Sequence, residues 1–245
     1  MSDDSRTNIL QRLEAGLGTL PYPGCLPAPD SIPSPLPDAA SVAVQHGPAD
    51  WRLLRTELTN LRAELDVATT RAELAEALKR LVRAYGIETA VCWEHGRLAS
   101  IGIDVLLAAA GVKVLAATCV EESGGCRALR DVDLGVTAAD AVFLDCGAIA
   151  VRSGIGRPRS ISLVPRVHLA VVAEEDLQPG LHVLPELLRA WGEEEGGLPS
   201  AIHLISGPSG TADIELVYVQ GVHGPLALHV LALSGDWAGA EGHKR

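Results

Sequence analysis

The chain has 245 residues, 47% of them hydrophobic and 21% charged, a composition that predicts a globular protein with a sizeable core and excludes a disordered or collagen-like chain. Lysine and arginine together number 20 against 31 aspartates and glutamates, so the formal net charge is −11, which argues against a nucleic-acid partner. The first residues are acidic and polar, unlike a signal peptide, and no long apolar run predicts a membrane span, so we expect a cytoplasmic protein.

The first 48 residues differ in composition from the rest of the chain. Isoleucine and leucine side chains fall on one face over residues 4–17, which predicts a short helix. Seven prolines follow between residues 21 and 37, and proline favours extended backbone. We therefore predict an N-terminal helix and a proline-rich arm over 1–48, which serves either as a linker or as a ligand for an aromatic groove of a partner.

From residue 49 onward, helical and extended patterns alternate. Leucines spaced four, three and four residues apart predict the first of the helices. Thr70 and Glu73 form a capping box at the start of the second helix, and Gly86 ends it. This alternation predicts βαβ units and a mostly parallel sheet. The predicted elements are helices over 49–66, 70–85 and 103–111 and strands over 88–93 and 112–117.

Short apolar segments dominate the second half of the chain. Several of them are too close together for a helix to connect them, so we expect some antiparallel pairing. A globular domain is predicted over 49–236, followed by a frayed tail over 237–245. The predicted elements are strands over 141–144, 148–151, 160–164, 167–173, 201–205 and 225–233 and a helix over 181–192.

A glycine-containing loop follows the strand predicted over 201–205. It contains Gly207 and Ser209, and a helix is predicted to start near Thr211 with Asp213 in its first turn. Loops of this kind at the carboxyl ends of strands bind ligands in open α/β sheets. These side chains either bind a polar, hydroxylated ligand or a partner's loop, or they only cap the helix and complement its dipole.

Asp145 interrupts two apolar strand patterns and is followed by Cys146. In a cleft, partial burial would raise the pKa of the Asp145 carboxyl group and suit it to acid–base or nucleophilic chemistry. The alternative is a turn in which this carboxylate bonds to backbone. Cys146 has no neighbouring cation in the sequence that would activate its thiol, so we expect it to pack as a small apolar side chain.

A group of basic residues and one histidine complete the candidate site. The arginines are clustered in an otherwise acidic chain, and a guanidinium group binds carboxylate or phosphate well, although the chain's own carboxylates could also pair with them. Of eight histidines, His223 stands between glycines at a turn, and no two histidines have the spacing of metal ligands. We therefore predict no metal site. The clustered arginines are Arg152, Arg157, Arg159 and Arg166.

The cysteines do not suggest a cofactor. Their number is odd and none forms a CxxC pair, so we expect reduced thiols and no iron–sulfur cluster or zinc ribbon in this chain. The cysteines are Cys25, Cys92, Cys119, Cys126 and Cys146.

Several segments together resemble the LUD domain family of lactate-utilisation C proteins. The C-terminal signature of that family resembles GPSGTADIE at 207–215 and GVHGP at 221–225, followed by a strand. Two other family segments resemble GVTAADAVFLDCGAIAV at 135–151 and SLVPRVHLAVV at 162–172. The resemblance is concentrated between residues 135 and 233, and the combination of these segments is specific.

The resemblance implies a Rossmann-like three-layer α/β sandwich of the NagB/RpiA/CoA-transferase type, with a mixed, mostly parallel sheet. It also implies a part in the oxidation of L-lactate to pyruvate, alongside two iron–sulfur partner proteins. We therefore expect an accessory subunit that carries no cofactor, with the iron–sulfur clusters in its partners and a small carboxylate or phosphate as a candidate ligand. Homo-oligomerisation is left open.

The chain departs from the family pattern where Glu-Thr-Gly-Thr is expected, because Asp145, Cys146, Gly147 and Ala148 stand there. Two alternatives are kept. The first is a stand-alone enzyme that acts on a phosphorylated sugar or a CoA thioester, with Asp145 as base or nucleophile. The second is a non-catalytic scaffold. We predict a site at the carboxyl ends of the strands that comprises Asp145, Arg159, Gly207, Ser209, Thr211, Asp213 and His223.

Overall fold

The structure is a computed structural model that describes residues 50–118, 128–194, 196–212, 218–221, 223–235 and 237. All of these residues belong to one compact unit, Val42–Arg245. The helix and proline-rich arm predicted over 1–48 lie outside the described residues, as does the predicted tail apart from Trp237. Among the described residues, no helix has the length and apolar character needed to cross a membrane.

Within these ranges the chain forms α-helices and strands that alternate through its first half. The helices are α1 (Trp51–Asn60), α2 (Arg71–Tyr85), α3 (Gly96–Ile101), α4 (Ile103–Ala109) and α5 (Leu184–Glu193). The strands are β1 (Glu64–Ala68), β2 (Thr89–Cys92), β3 (Lys113–Ala116), β4 (Leu134–Ala138), β5 (Ala141–Phe143), β6 (Ala148–Arg152), β7 (Val167–Ala173), β8 (Leu177–Gln178), β9 (Ile202–Ile205), β10 (Gly210–Ala212), β11 (Tyr218–Gln220) and β12 (Ala227–Leu233).

A six-stranded parallel sheet forms the centre of the molecule. Its strand order is β1-β12-β7-β4-β2-β3, and every neighbouring pair in it is parallel. Strands β7 and β12 are buried along their whole length and consist almost entirely of apolar residues, as expected when both faces of a sheet are covered. The predicted Rossmann-like α/β sandwich with a mostly parallel sheet is confirmed.

A second sheet of four strands, in the order β8-β5-β6-β9, covers one face of the parallel sheet. Alternate side chains of β5 and β6 belong to two different cores. Val142, Ile149 and Val151 pack into the main core, whereas Phe143 lies in a smaller core with Trp191 of α5. Helices α2 and α4 pack against each other and against β1 and β3, so the layers run helix, parallel sheet, second sheet, helix.

The first predicted helix is shorter than its leucine spacing indicates. Helix α1 ends at Asn60, and Arg62 adopts a left-handed conformation with φ of 59°. Its N–H donates to the Thr59 carbonyl at 3.0 Å and the N–H of Ala63 donates to the Leu58 carbonyl at 2.8 Å, which together form a Schellman ending. Leu65 therefore lies in β1, a strand that the sequence pattern did not predict, and the predicted end of this helix at residue 66 is wrong.

The second predicted helix is confirmed. Thr70 is its N-cap, with the hydroxyl oxygen accepting the N–H of Glu73 at 3.2 Å, and Gly86 ends it in the left-handed region. The Glu73 carboxylate bonds to Thr69 and not to the N-cap residue Thr70. It accepts both the N–H and the hydroxyl of Thr69 at 2.7 Å. These bonds lower the pKa of Glu73.

Two predicted elements are wrong. The strand predicted over 160–164 is a 3₁₀ turn at Arg159–Ser162, followed by Pro165, and a Cβ at Gly135 of β4 would overlap the carbonyl of Ile161 in that turn. The helix predicted to start near Thr211 is a strand, because β10 pairs antiparallel with β11. Residues 213–217 between these two strands lie outside the described residues.

Candidate functional site

The glycine loop after β9 lies at the amino-terminal edge of the parallel sheet. The N–H of Ser209 donates to the Pro225 carbonyl at 2.9 Å, immediately before β12 begins. A Cβ at Gly207 would lie 2.6 Å from the carbonyl oxygen of Leu61, which precedes β1. The predicted position at the carboxyl ends of the strands is therefore wrong. Strand β9 belongs to the second sheet, where it runs antiparallel to β6 and carries the loop to the opposite edge.

The two segments that resemble the family signature do meet in space at Ser209. Its carbonyl accepts the N–H of Gly221 at 2.8 Å, and a Cβ at Gly224 would lie 3.1 Å from the Cβ of Ser209. The side chain of His223 is exposed and forms no hydrogen bond with the part of the chain that is described. Thr211 is placed in β10, and Asp213 lies outside the described residues.

Asp145 occupies the turn between β5 and β6, and its side chain is exposed. Both of its carboxylate oxygens accept the N–H of Leu181 at 3.1 Å. This geometry agrees with the alternative in which the Asp145 carboxylate bonds to backbone. The N–H that it accepts belongs to a distant segment and not to the turn itself. The turn and the Gly207 loop both approach Leu61, the residue that follows α1, because a Cβ at Gly147 would lie 3.1 Å from the Cδ1 of Leu61.

Cys146, the next residue, is half-buried against the smaller core, and burial raises the pKa of its thiol. A raised pKa disfavours the nucleophilic thiolate. The expectation that Cys146 packs as a small apolar side chain agrees with this environment.

The four clustered arginines separate in the structure. Arg152 bonds to Asp140 at 2.8 Å and to Glu194 at 2.8 Å, with its guanidinium group 4.7 Å from the Trp191 ring centroid. Arg157 lies 3.9 Å from the same Asp140 carboxylate. Both arginines lie near the carboxyl-terminal edge of the parallel sheet, because Asp140 follows β4 directly.

Arg166 lies at the amino-terminal edge, whereas Arg159 follows Pro158, whose carbonyl accepts the Nε1–H of Trp93 just after the carboxyl end of β2. Arg166 donates to Asp133 at 3.0 Å and to the carbonyls of Tyr85 and Gly86, so it holds the segments before three strands together. Arg159 is the exposed first residue of the otherwise buried 3₁₀ turn, and it forms no ion pair with any described residue. Arg159 is thus the candidate cation of the predicted site that remains available to a ligand.

The Ser162 hydroxyl and the His203 ring lie near Arg159. The hydroxyl of Ser162 donates to the Arg159 carbonyl at 3.0 Å and lies 3.5 Å from Nδ1 of His203 in β9. Burial lowers the pKa of His203, and the Arg159 guanidinium lowers it further. In the sequence, His203 stands between Ile202 and Leu204 within the strand predicted over 201–205, a pattern typical of a core histidine.

His168 in β7 is the most deeply buried titratable group of this region. Its Nε2 lies 2.9 Å from the hydroxyl of Thr137 in β4, while its Nδ1 has no hydrogen-bond partner among the residues that the structure describes. Complete burial, with a smaller effect of His203, lowers the pKa of His168 to about 3, so the ring is neutral at pH 7. A histidine within an otherwise apolar central strand was the signal in the sequence that could have singled it out.

The carboxyl-terminal edge, where α/β sheets commonly bind ligands, carries a different set of groups. Chain connections leave β2 and β4 in opposite directions, which makes this the topological switch point. Arg97 there donates two bonds to Asp176, at 2.6 and 2.8 Å, and a third to the Ala139 carbonyl. Most of the charges at this edge are therefore paired within the chain.

A groove of about 780 Å³ opens next to this edge, between β2, β3, α3 and α4. Its lining is mostly apolar, with Leu98, Ile103 and Leu115 among the contributors, and His95 and Glu94 at one side. Burial lowers the pKa of His95, and Arg97 adds to this. Burial also raises the pKa of the Cys92 thiol to about 12, which keeps it protonated. Among the described residues, no group of three or more histidine, cysteine or carboxylate side chains is placed to hold a metal ion.

A protein-family model establishes the family that these segments resemble. The LUD domain model matches residues 52–233, from α1 to the last residue of β12. The chain belongs to the LUD domain family. The match includes both sheets and every candidate site residue.

Several individual proteins are similar to this LUD domain protein. Lactate utilization protein C of Macrococcus caseolyticus is 29% identical over 71% of this chain and 73% of its own length. Lactate utilization protein C of Halalkalibacterium halodurans is 32% identical over 66% of this chain and 70% of its own. The uncharacterized protein YkgG of Escherichia coli K12 is 33% identical over 66% and 72%. A solved DUF162 family protein from Deinococcus radiodurans is 18% identical, covers 75% of this chain and 95% of its own, and has a TM-score of 0.49.

Proposed function

We propose that this chain acts in lactate utilisation, as a cytoplasmic accessory subunit of a system that oxidises L-lactate to pyruvate. The observation that carries the proposal is the similarity to proteins named lactate utilization protein C, which extends over about two thirds of both chains. The matched residues form the complete two-sheet body, so the similarity is not confined to a local motif.

The proposed partners are two iron–sulfur proteins. Oxidation of L-lactate to pyruvate releases two electrons and two protons, and clusters in the partners would accept the electrons. This division fits a chain with five cysteines and no CxxC pair. The role of this chain would then be to bind substrate or to assemble with the cluster-carrying subunits.

The geometry of Asp145 favours the accessory role over the alternative of a stand-alone enzyme. A general base needs a carboxylate oxygen free to take a proton from the substrate. Both oxygens of Asp145 instead face the Leu181 N–H, at the exposed start of the 3₁₀ turn before α5.

Deletion of the gene in the source organism tests the proposal. We expect the deletion strain to lose growth on L-lactate as sole carbon source, to grow normally on pyruvate, and to recover with the wild-type gene. Extracts of the deletion strain should also lose L-lactate-dependent reduction of an artificial electron acceptor. Equal growth of wild type and deletion strain on L-lactate would refute the proposed role.

The partners are tested separately with a tagged copy of the chain at its own locus. We expect two proteins that contain iron and acid-labile sulfide to co-purify with it from cells grown on L-lactate. Recovery of the tagged chain alone, under conditions that preserve iron–sulfur proteins, would contradict this part of the proposal.

A further inference from the structure

We infer that Arg159, His203 and His168 form a binding site for a small 2-hydroxycarboxylate between the parallel sheet and the second sheet, where the 3₁₀ turn and β9 meet β7. The inference names a class of ligand, and the biological role of the site rests on the proposed function. The site itself is argued from the geometry of these residues.

The backbone register directs both histidines toward the same region. His203 pairs with Val151 and Ile205 pairs with Ile149, and the side chains of Val151 and Ile149 face the main core, so His203 also faces the parallel sheet. His168 pairs with Gly135, whose Cβ direction is occupied by the 3₁₀ turn. The two rings therefore face the same region between the turn and the sheet, and His203 contributes to the lowered pKa of His168.

Hydrogen bonding fixes which nitrogen of His168 carries the proton. The Thr137 hydroxyl has the Nε2 of His168 as its hydrogen-bond partner among the described residues. If the hydroxyl donates to Nε2, its hydrogen is satisfied and Nδ1 carries the ring proton. The reverse arrangement leaves both the hydroxyl hydrogen and Nδ1 unpaired. The first arrangement thus makes Nδ1–H a buried donor without an acceptor in this part of the chain, an unfavourable state that a ligand oxygen would relieve.

The partner of His203 fixes its tautomer in the same way. The Ser162 hydroxyl already donates to the Arg159 carbonyl, so toward His203 its oxygen can only accept. His203 therefore presents Nδ1–H to Ser162 and a lone pair on Nε2. The site consequently offers one ring as a donor and the other ring as an acceptor.

Charge selects an anionic ligand. The Arg159 guanidinium is exposed and forms no ion pair with the described residues, although the chain as a whole has a net charge of −11. Burial is the main cause of the lowered pKa of His203 and of His168, and the charged groups that add to it are Arg159 for His203 and His203 for His168, with no carboxylate among them. This contrasts with Arg97 and Arg152, which are paired with carboxylates.

A 2-hydroxycarboxylate satisfies all three side chains. Its carboxylate accepts from the Arg159 guanidinium and from Nδ1–H of His168, and its hydroxyl donates to Nε2 of His203. A 2-oxo acid lacks the hydroxyl donor, and inorganic phosphate brings a larger charge than one guanidinium balances. The chemistry therefore favours L-lactate over pyruvate and over phosphate.

Calorimetric titration of the full-length protein with L-lactate, pyruvate and inorganic phosphate tests the site. We expect L-lactate to bind more tightly than either of the other two. Arg159→Gln should weaken L-lactate binding about tenfold or more, because it removes a charge-assisted contact. Arg157→Gln, in the same basic segment, is the matched control and should leave binding unchanged.

His168→Gln provides a second test of the site with a variant that we expect to keep the fold. Its amide group can bond to Thr137 as Nε2 does, but it lacks the Nδ1–H donor, so we expect weaker L-lactate binding with native circular dichroism. Nitrogen-detected NMR of the histidine rings should show His168 protonated at Nδ1 at pH 7. An Nε2-protonated His168, no L-lactate binding by wild type, tighter binding of phosphate, or equal effects of Arg157→Gln and Arg159→Gln would each overturn the inference.

The growth experiment separates this inference from the proposed function. If the deletion strain fails on L-lactate but the protein does not bind L-lactate, the site is wrong and the proposed function stands. If the protein binds L-lactate through Arg159 and the deletion strain grows normally, the site stands and the proposed function is wrong.

Discussion

Arg97 and Asp176 are joined by two short hydrogen bonds, Nη1 to Oδ2 at 2.6 Å and Nη2 to Oδ1 at 2.8 Å. The pair connects the first turn of α3 to the 3₁₀ turn after β7, and Asp176 also accepts the N–H of Ala173. Burial raises the pKa of Asp176 to about 6, although Arg97 acts in the opposite direction. The cost of burying this carboxylate therefore exceeds the stabilisation that Arg97 returns to it.

Breaking this ion pair from one side should cost more than removing both charges. We expect Asp176→Leu to lower the free energy of unfolding by about 3 kcal/mol, because the buried Arg97 guanidinium loses its main partner. The double variant Arg97→Met with Asp176→Leu should be more stable than the sum of the single variants indicates. Urea denaturation of the four proteins measures this coupling, and strictly additive effects would contradict it.

The low pKa of His168 predicts how stability depends on pH. Its folded pKa of about 3 lies below the ordinary 6.5, so its contribution is present above pH 6.5 and is lost as the pH falls toward 3. Between pH 7 and pH 5 this loss amounts to about 2 kcal/mol. His168→Gln should remove that part of the pH dependence. Unfolding free energies at the two pH values, for wild type and variant, provide the test.

The exposed His223 supplies the control for this measurement. His223→Gln also removes one titratable ring, but from a side chain that forms no hydrogen bond with the described residues. We expect this variant to keep the wild-type difference between pH 7 and pH 5. If His168→Gln also keeps it, the neutral, buried state of His168 is refuted.

Local patterns predicted those elements whose signals are local. Thr70, Glu73 and Gly86 mark both ends of α2, and the uninterrupted apolar run of β7 was predicted with the observed bounds. The end of α1 was not predicted because Leu65 continues the helical spacing. The left-handed conformation of Arg62, which no sequence rule assigns to arginine, ends the helix before it.

The position of the site could not be predicted because it depends on long-range pairing. The carboxyl end of β9 was taken as the carboxyl end of a parallel strand, but β9 pairs with β6, about fifty residues earlier, in a separate sheet. Ser209 and Gly224, which lie close together in the structure, both belong to segments that the sequence singled out by their resemblance to the family signature. His168 became a candidate only when the structure showed that its Nδ1 lacks a partner among the described residues, and His203 only when the structure placed its Nδ1 3.5 Å from the Ser162 hydroxyl.

The close approach of Gly207 to α1 predicts a large effect of adding one methyl group. Gly207 has φ of 99°, and a Cβ there would lie 2.6 Å from the Leu61 carbonyl oxygen. We expect Gly207→Ala to lower the unfolding free energy by about 2 kcal/mol or more, from backbone strain and overlap together. Thermal and urea denaturation measure this effect.

Gly111 provides a matched control, since its φ is 90° but a Cβ there would meet no atom within 4 Å. Gly111→Ala introduces backbone strain without steric overlap and should lower the unfolding free energy by about 1 kcal/mol. Equal losses in the two variants would show that the loop does not approach Leu61 as closely as described.

Substitutions of Asp145 distinguish a structural role of its carboxylate from a catalytic role. Asp145→Ala removes the acceptor for the Leu181 N–H and should lower the unfolding free energy by about 1 kcal/mol, whereas Asp145→Asn keeps an acceptor oxygen and should cost less. Both variants should support growth on L-lactate at the wild-type rate, because the carboxylate bonds to the Leu181 N–H and to the neighbouring Cys146 side chain, within the chain itself. If Asp145→Asn is as stable as wild type but abolishes growth on L-lactate, Asp145 acts chemically, and the stand-alone enzyme replaces the accessory subunit as the better hypothesis.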